Sequence, residues 1–160
     1  MQTYFNIPTF GDDRLPPHFW AKVRVLDNGC WEWTAVCGGG YGHFSIKRKP
    51  IGAHRWAYEQ LVGKVPESLQ IDHLCHNSET CLGGVTCPHR RCVNPNHLDI
   101  VTPRENTLRG NTLPALNAQK SHCPRNHLYD ERNTRLYRGK RHCRACARMR
   151  WHRLKNVKRC

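Results

Sequence analysis

Ile71-Asp72-His73-Leu74-Cys75 and, further on, Cys92-Val93-Asn94-Pro95-Asn96-His97-Leu98 decide the fold. Residues 69–73 read as a short strand and residues 98–101 as its partner, with a helix over 102–109. Thr102-Pro103-Arg104-Glu105 places a capping hydroxyl at N-cap, proline at N1 and a reciprocating carboxylate at N3. Asn106 therefore falls in the first turn of a well-specified helix. Cys75, Cys92 and His97 occupy the turns flanking the hairpin, and such soft or borderline ligands suit a tetrahedral zinc. A closed structural site needs a fourth ligand, for which Cys30 is the first choice and Cys37 the second. His73 and Asp72 are neighbours on a strand, so their side chains leave opposite faces. A strand–loop–strand–helix unit brings His73, Asp72 and Asn106 around one small volume. An imidazole there can take a proton from water, and a hard divalent ion on oxygen ligands can neutralise anionic oxygens.

Upstream, Leu15-Pro16-Pro17 precedes HFWAKVRV, which reads as a short helix started by proline. Residues 30–34 (CWEWT) and 40–46 (GYGHFSI) alternate and are rich in aromatic and β-branched residues, so they read as strands joined through Gly38 to Gly40. Residues 53–62 (AHRWAYEQLV) carry helical spacing and end at Gly63. The fold class is α+β. No internal repeat or low-complexity tract is present.

The chain has 160 residues, with 12 Gly and 10 Pro, and its lean apolar content calls for staples; 10 Cys and 11 His offer them. Disulfides would need an oxidising compartment, and the N-terminus shows no basic stretch leading into an apolar run. The expectation is a cytoplasmic zinc protein, not secreted and without a membrane span. Net charge is +14, and residues 121–160 hold 13 of the 26 Lys and Arg against two acids, Asp130 and Glu131. A basic, Cys-rich end is the electrostatic footprint of a polyanion binder, most simply nucleic acid.

Asp72-His73, Asn94 and Asn106 resemble the signature of the HNH endonucleases, the ββα-metal or His-Me finger superfamily. Cys30-Trp31-Glu32-Trp33, Gly40-Tyr41-Gly42-His43-Phe44, Ala53-His54-Arg55-Trp56-Ala57-Tyr58, His73-Leu74-Cys75, the run from Cys92 to Leu98 and Thr102-Pro103-Arg104-Glu105-Asn106 extend the likeness over about residues 25 to 110. The whole is similar to the zinc-stabilised branch that includes intron-encoded homing endonucleases and phage HNH proteins. The resemblance implies a small zinc-stabilised ββα-metal domain that hydrolyses phosphodiester bonds of double-stranded DNA. His73 would be the general base, held by a main-chain carbonyl on its other ring nitrogen. Asn106 would be a ligand of a catalytic Mg²⁺ or Mn²⁺ ion, with Asp72 as a second ligand. Cys30, Cys75, Cys92 and His97 would hold structural zinc, Asn94 would brace the loop within the catalytic signature, and products would carry 5′-phosphate and 3′-hydroxyl ends. The chain departs from the homing branch in the long loop of residues 76–91, which adds Cys81, Cys87 and His89 as extra zinc ligands or as exchange partners for Cys75.

Cys123-x3-His127 and Cys143-x2-Cys146, separated by 15 residues with a turn at Arg138-Gly139, form a treble-clef or ribbon-like zinc finger. From Cys143 onward a helix bears Arg144, Arg148, Arg150, Arg153 and Lys155, suited to phosphate anchoring. Arg55, Lys47 and Arg48 are further phosphate candidates; Trp31, Trp33, Trp56 and Tyr58 read as core, and Cys160 as a bystander. The domains are read as a nuclease domain at 15–110, a linker at 111–122 and a basic zinc finger at 123–160. A homodimer, with two copies acting together, is compatible with this reading. The competing reading is a non-catalytic, zinc-dependent nucleic-acid-binding protein. A thiol redox enzyme is disfavoured, because the close pair Cys143 and Cys146 already has zinc partners.

Overall fold

The computed structural model describes residues 7–76, 81 and 83–157; Cys160 lies outside the described residues. The chain divides into two compact units, Met1–Ala115 and Leu116–Cys160.

The first unit opens with α1 (Pro17–Trp20), proline at its start. The helix expected over HFWAKVRV ends there, because Val23-Arg24-Val25 is β-branched on alternate positions and forms β1 (Val23–Val25). β1 pairs antiparallel with β2 (Trp31–Trp33), Val23 opposite Trp33. This corrects the expected partnership of residues 30–34 with 40–46. The glycine turn instead joins β3 (Cys37–Gly38) to β4 (Tyr41–Ile46), with φ 59° at Gly39 and 88° at Gly40. Two successive positive φ values are what a tight hairpin turn requires. β5 (Lys49–Gly52) completes a three-stranded sheet, and exposed Lys47 and Arg48 take positive φ at the β4–β5 turn.

α2 (Ala53–Leu61) presents Ala53, Ala57 and Leu61, spaced four apart, to the core. There they meet Leu15, Phe19, Trp31, Trp33, Phe44 and Val93, with Trp56 packed at the edge. Phe19 and Trp33 are fully buried, and truncating either to alanine would cost about 3–5 kcal/mol. A Cβ on Gly42 would lie 2.5 Å from the Trp33 indole, so glycine is needed for that contact.

β6 (Gln70–His73) and β7 (Leu98–Val101) pair antiparallel, placing Asp72 opposite Asp99 and His73 opposite Leu98. α3 (Pro103–Arg109) follows, and its capping box is formed in full: Thr102 Oγ1 accepts from the Glu105 amide at 3.2 Å, and Glu105 accepts from the Thr102 amide at 2.9 Å. Within residues 111–122, expected as linker, a helix α4 (Leu113–Gln119) forms; Thr112 Oγ1 caps it by accepting from the Ala115 amide at 3.2 Å.

In the second unit, β8 (Thr134–Tyr137) and β9 (Lys140–Cys143) make a hairpin whose turn, Arg138 and Gly139, has two positive φ values. α5 (Arg144–Val157) follows, its Ala145 amide donating to Asn133 Oδ1 at 2.9 Å. Among the described residues of this unit, Cys123 and Cys143 are the buried ones. So small an apolar core is what a unit held by a metal cluster would have. Among the described residues, no helix is long and apolar enough to cross a membrane.

Candidate active site

β6 and α3 carry His73, Asp72 and Asn106 to the wall of one cavity of about 600 Å³. His73 is 8% exposed, and its Nε2 lies 3.1 Å from the main-chain oxygen of Cys92. With Nε2–H donating to that carbonyl, the lone pair of the neutral ring belongs to Nδ1. Burial lowers the His73 pKa, which keeps the ring neutral near pH 7.

Asn106 is half-buried, and its Nδ2 donates to Gln70 Oε1 at 2.8 Å. Gln70 thus engages the nitrogen end of the amide, which presents Oδ1 as its acceptor end. Asp72 Oδ1 accepts from the His73 amide at 2.9 Å, and Oδ2 lies 3.3 Å from Arg109, which also binds Asp99 at 2.7 Å. Arg109 therefore bridges two carboxylates that face each other across the β6–β7 pair, where like charges would otherwise repel. Asn94 stands away from the cavity wall. It accepts from the Asn96 amide at 3.0 Å and donates to the Gly29 carbonyl at 2.9 Å, bracing the loop that carries Cys92 and His97.

Behind His73 lie two aromatic neighbours, the rings of Tyr41 at 5.9 Å and His54 at 5.3 Å. Among the described residues, buried His54 Nδ1 has no hydrogen-bond partner, and burial pushes its pKa down to about 3, so it serves as a neutral packing ring. Sequence reasoning placed His54 in a helix but did not bring it beside His73.

Cys30, Cys75, Cys92 and His97 converge, their ligand atoms all within 4.8 Å of one another. His97 Nδ1 lies 3.5 Å from Cys30 Sγ and 3.7 Å from Cys92 Sγ. Zinc bonds of about 2.3 Å to sulfur and about 2.0–2.1 Å to nitrogen put tetrahedral neighbours about 3.5–3.8 Å apart. The spacing fits that ion. The Cys92 thiol is pushed down to about 5, chiefly by the hydrogen bond from Cys75, and so is ready to ligate as thiolate. Cys37 joins no cluster among the described residues; its Sγ donates to the Ala35 carbonyl at 3.4 Å.

Cys123, His127, Cys143 and Cys146 form a like cluster in the second unit. Sγ of Cys123 and Cys146 are 3.6 Å apart, and His127 Nδ1 is 3.3 Å from Cys146 and 3.4 Å from Cys123. A third cluster joins Cys81, Cys87 and His89 to His76. Sequence reasoning passed over His76, although its place beside Cys75, in a loop with three other ligand-type residues, was the available signal. These three clusters can hold metal ions. None of the nine cysteines among the described residues is in a disulfide.

The basic candidates divide. Arg144, Arg148 and Arg150 are exposed on α5. Arg55 is half-buried, with Nε bonded to Glu59 at 3.1 Å and Nη2 to the Val65 carbonyl at 2.9 Å.

The resemblance read from the sequence holds in comparison with known proteins. The HNH endonuclease family model matches residues 52–81, the stretch that contains α2, His73 and Cys75. Protein 7.7 of Escherichia phage T7 is 34% identical over 79 residues, 49% of this chain and 52% of that protein. Protein 2.8 of the same phage is 30% identical over 89 residues, 54% of this chain and 52% of that protein. The uncharacterized gene 5.3 protein of Enterobacteria phage T3 is 31% identical over 78 residues, 45% of this chain and 65% of that protein. The chain thus spans between 52% and 65% of the length of these curated relatives. No solved structure matches significantly.

Proposed function

We propose, from the HNH endonuclease match over residues 52–81, that this chain hydrolyses phosphodiester bonds of double-stranded DNA. The observation that carries the reading is the contact of His73 Nε2 with the Cys92 carbonyl, which leaves Nδ1 as the proton acceptor beside a cavity with two oxygen donors. In this reading β6, β7 and α3 form the ββα-metal unit. His73 Nδ1 takes a proton from the attacking water. Asp72 carboxylate and Asn106 Oδ1 suit a hard ion of the Mg²⁺ or Mn²⁺ type, while the Cys and His clusters suit zinc. When bound, the hard ion would neutralise the phosphoryl oxygens and the departing 3′-oxygen. Gln70 orients the Asn106 amide, and the Cys92 carbonyl orients the base.

Structural zinc in the set Cys30, Cys75, Cys92 and His97 holds the Cys92 carbonyl in place, and a second in the set Cys123, His127, Cys143 and Cys146 holds the C-terminal finger. The exposed arginines of α5 anchor DNA phosphates. The nuclease domain is residues 15–110 and the basic finger residues 123–160, working in the cytoplasm of a bacterial or phage-infected cell, where thiols stay reduced. The test is a plasmid-nicking assay on the purified chain with and without Mg²⁺. Metal-stimulated conversion of supercoiled to nicked or linear DNA is the expected result. DNA binding with no metal-stimulated cutting would instead favour a non-catalytic zinc-dependent binder.

A further inference from the structure

The loop of residues 76–91 separates β6 from β7, and the mechanism above makes no use of its ligand-type side chains. Four of them converge: His76, Cys81, Cys87 and His89 offer ligand atoms that all lie within 4.8 Å of one another. Cys87 Sγ is 3.6 Å from Cys81 Sγ, 3.5 Å from His76 Nδ1 and 3.5 Å from His89 Nδ1. These are again the edges of a tetrahedron around an ion with zinc-length bonds. A disulfide between Cys81 and Cys87 would account for the thiols alone. It would leave unexplained why two imidazoles turn the same ring nitrogen toward Cys87.

The loop also needs such an anchor. Among its described residues Val85 is 67% exposed, and Cys87 is the buried one. Among these described residues, apolar packing supplies little to hold it. Yet it meets the β3–β4 hairpin closely. Arg90 donates to the Gly39 carbonyl at 2.8 Å and lies 4.8 Å over the Tyr41 ring. A Cβ on Gly40 would come within 2.5 Å of the Val85 carbonyl. His76, Gly83, Gly84, Cys87, His89 and Arg90 then line the cavity that holds Asp72, His73 and Asn106.

We propose that His76, Cys81, Cys87 and His89 bind a third structural ion of the zinc class, and that this ion fixes the loop as one wall of the active-site cavity. The ion site stands on its own geometry; the role of the wall rests on the nuclease reading.

The experiment counts zinc per chain by elemental analysis on the purified full-length protein, for the parent and for Cys81→Ser, His76→Ala and Cys81→His. Three zinc ions in the parent, two in Cys81→Ser and in His76→Ala, and three again in Cys81→His, which exchanges one zinc ligand for another, are expected. Two ions in the parent, an unchanged count in both loss variants, or a Cys81–Cys87 disulfide would overturn the site. Cleavage kinetics on the same proteins test the wall: Cys81→Ser should raise KM for DNA while keeping kcat. An unmoved KM with one ion lost would overturn the wall and leave the ion. A parent that never cuts DNA would sink the nuclease reading and the wall together, and the zinc count would still decide the site.

Discussion

The main-chain oxygen of Cys92 lies 3.1 Å from Nε2 of His73, so a residue of the Cys30, Cys75, Cys92 and His97 cluster also holds the imidazole of the cavity. In the proposed mechanism, metal ligation and base orientation would therefore share one residue, Cys92. Cys30 belongs to the cluster but does not line the cavity. Cys30→Ser should lower zinc content by one and reduce kcat, with little change in KM. Elemental analysis beside steady-state cleavage checks this. Full kcat with one zinc missing would show that the cluster and the base are uncoupled.

The pH dependence follows from burial. His73 must be neutral to accept a proton, and its pKa in the folded chain lies below the ordinary 6.5. The acid limb of the cleavage profile should consequently fall below 6.5, with the rate lost only as pH drops through the lower value. Stability runs in the same direction for His54. The unfolded chain takes up its proton near 6.5 and the folded chain only at about 3, so stability declines as pH falls from 6.5 toward 3. His54→Phe should flatten that decline in Tm relative to the parent. An equally steep decline in the variant would remove His54 from the account.

Arg109 occupies the carboxylate proposed for the hard ion. Replacing it with Gln leaves Asp72 and Asp99 facing each other and frees Asp72 from its guanidinium. The Mg²⁺ concentration for half-maximal cleavage at saturating DNA should fall, with a small loss of Tm. An unchanged Mg²⁺ requirement would place Asp72 outside the ion's ligands.

On the proposed function, the exposed arginines of α5 would set the salt dependence of DNA binding. Each phosphate neutralised contributes about 0.9 to the slope of log K against log salt. Changing Arg144, Arg148 and Arg150 together to alanine should flatten that slope by roughly 2–3, one increment for each guanidinium removed from a phosphate. Binding measured by fluorescence anisotropy across a salt series tests it, and a parental slope would move the phosphate anchors elsewhere.

How far the sequence carried the structure depends on the range of the signal. The β6–β7–α3 unit was readable because its cues are local: a capping box at Thr102, paired short strands and ligands on the flanking turns. Convergence of the Cys123 set was equally local, two ligand pairs around a hairpin. The pairing of β1 with β2 was missed because Val23-Arg24-Val25 follows a helix start without a break, and only packing of Trp33 against Phe19 and Phe44 decides where the helix ends. The bond from Arg55 to the Val65 carbonyl joins residues ten apart, and the approach of His54 to His73 depends on two elements meeting. His76 was passed over because a ligand beside Cys75 looks redundant until the loop closes on it.

The most direct measurement is single-turnover cleavage of plasmid DNA in Mg²⁺ by His73→Ala, with zinc content determined on the same sample. Loss of the base should slow cutting by about 10²–10⁴-fold while zinc remains at the parental count. Cutting at the parental rate by a variant with its zinc intact would contradict the assignment of His73 and with it the proposed chemistry.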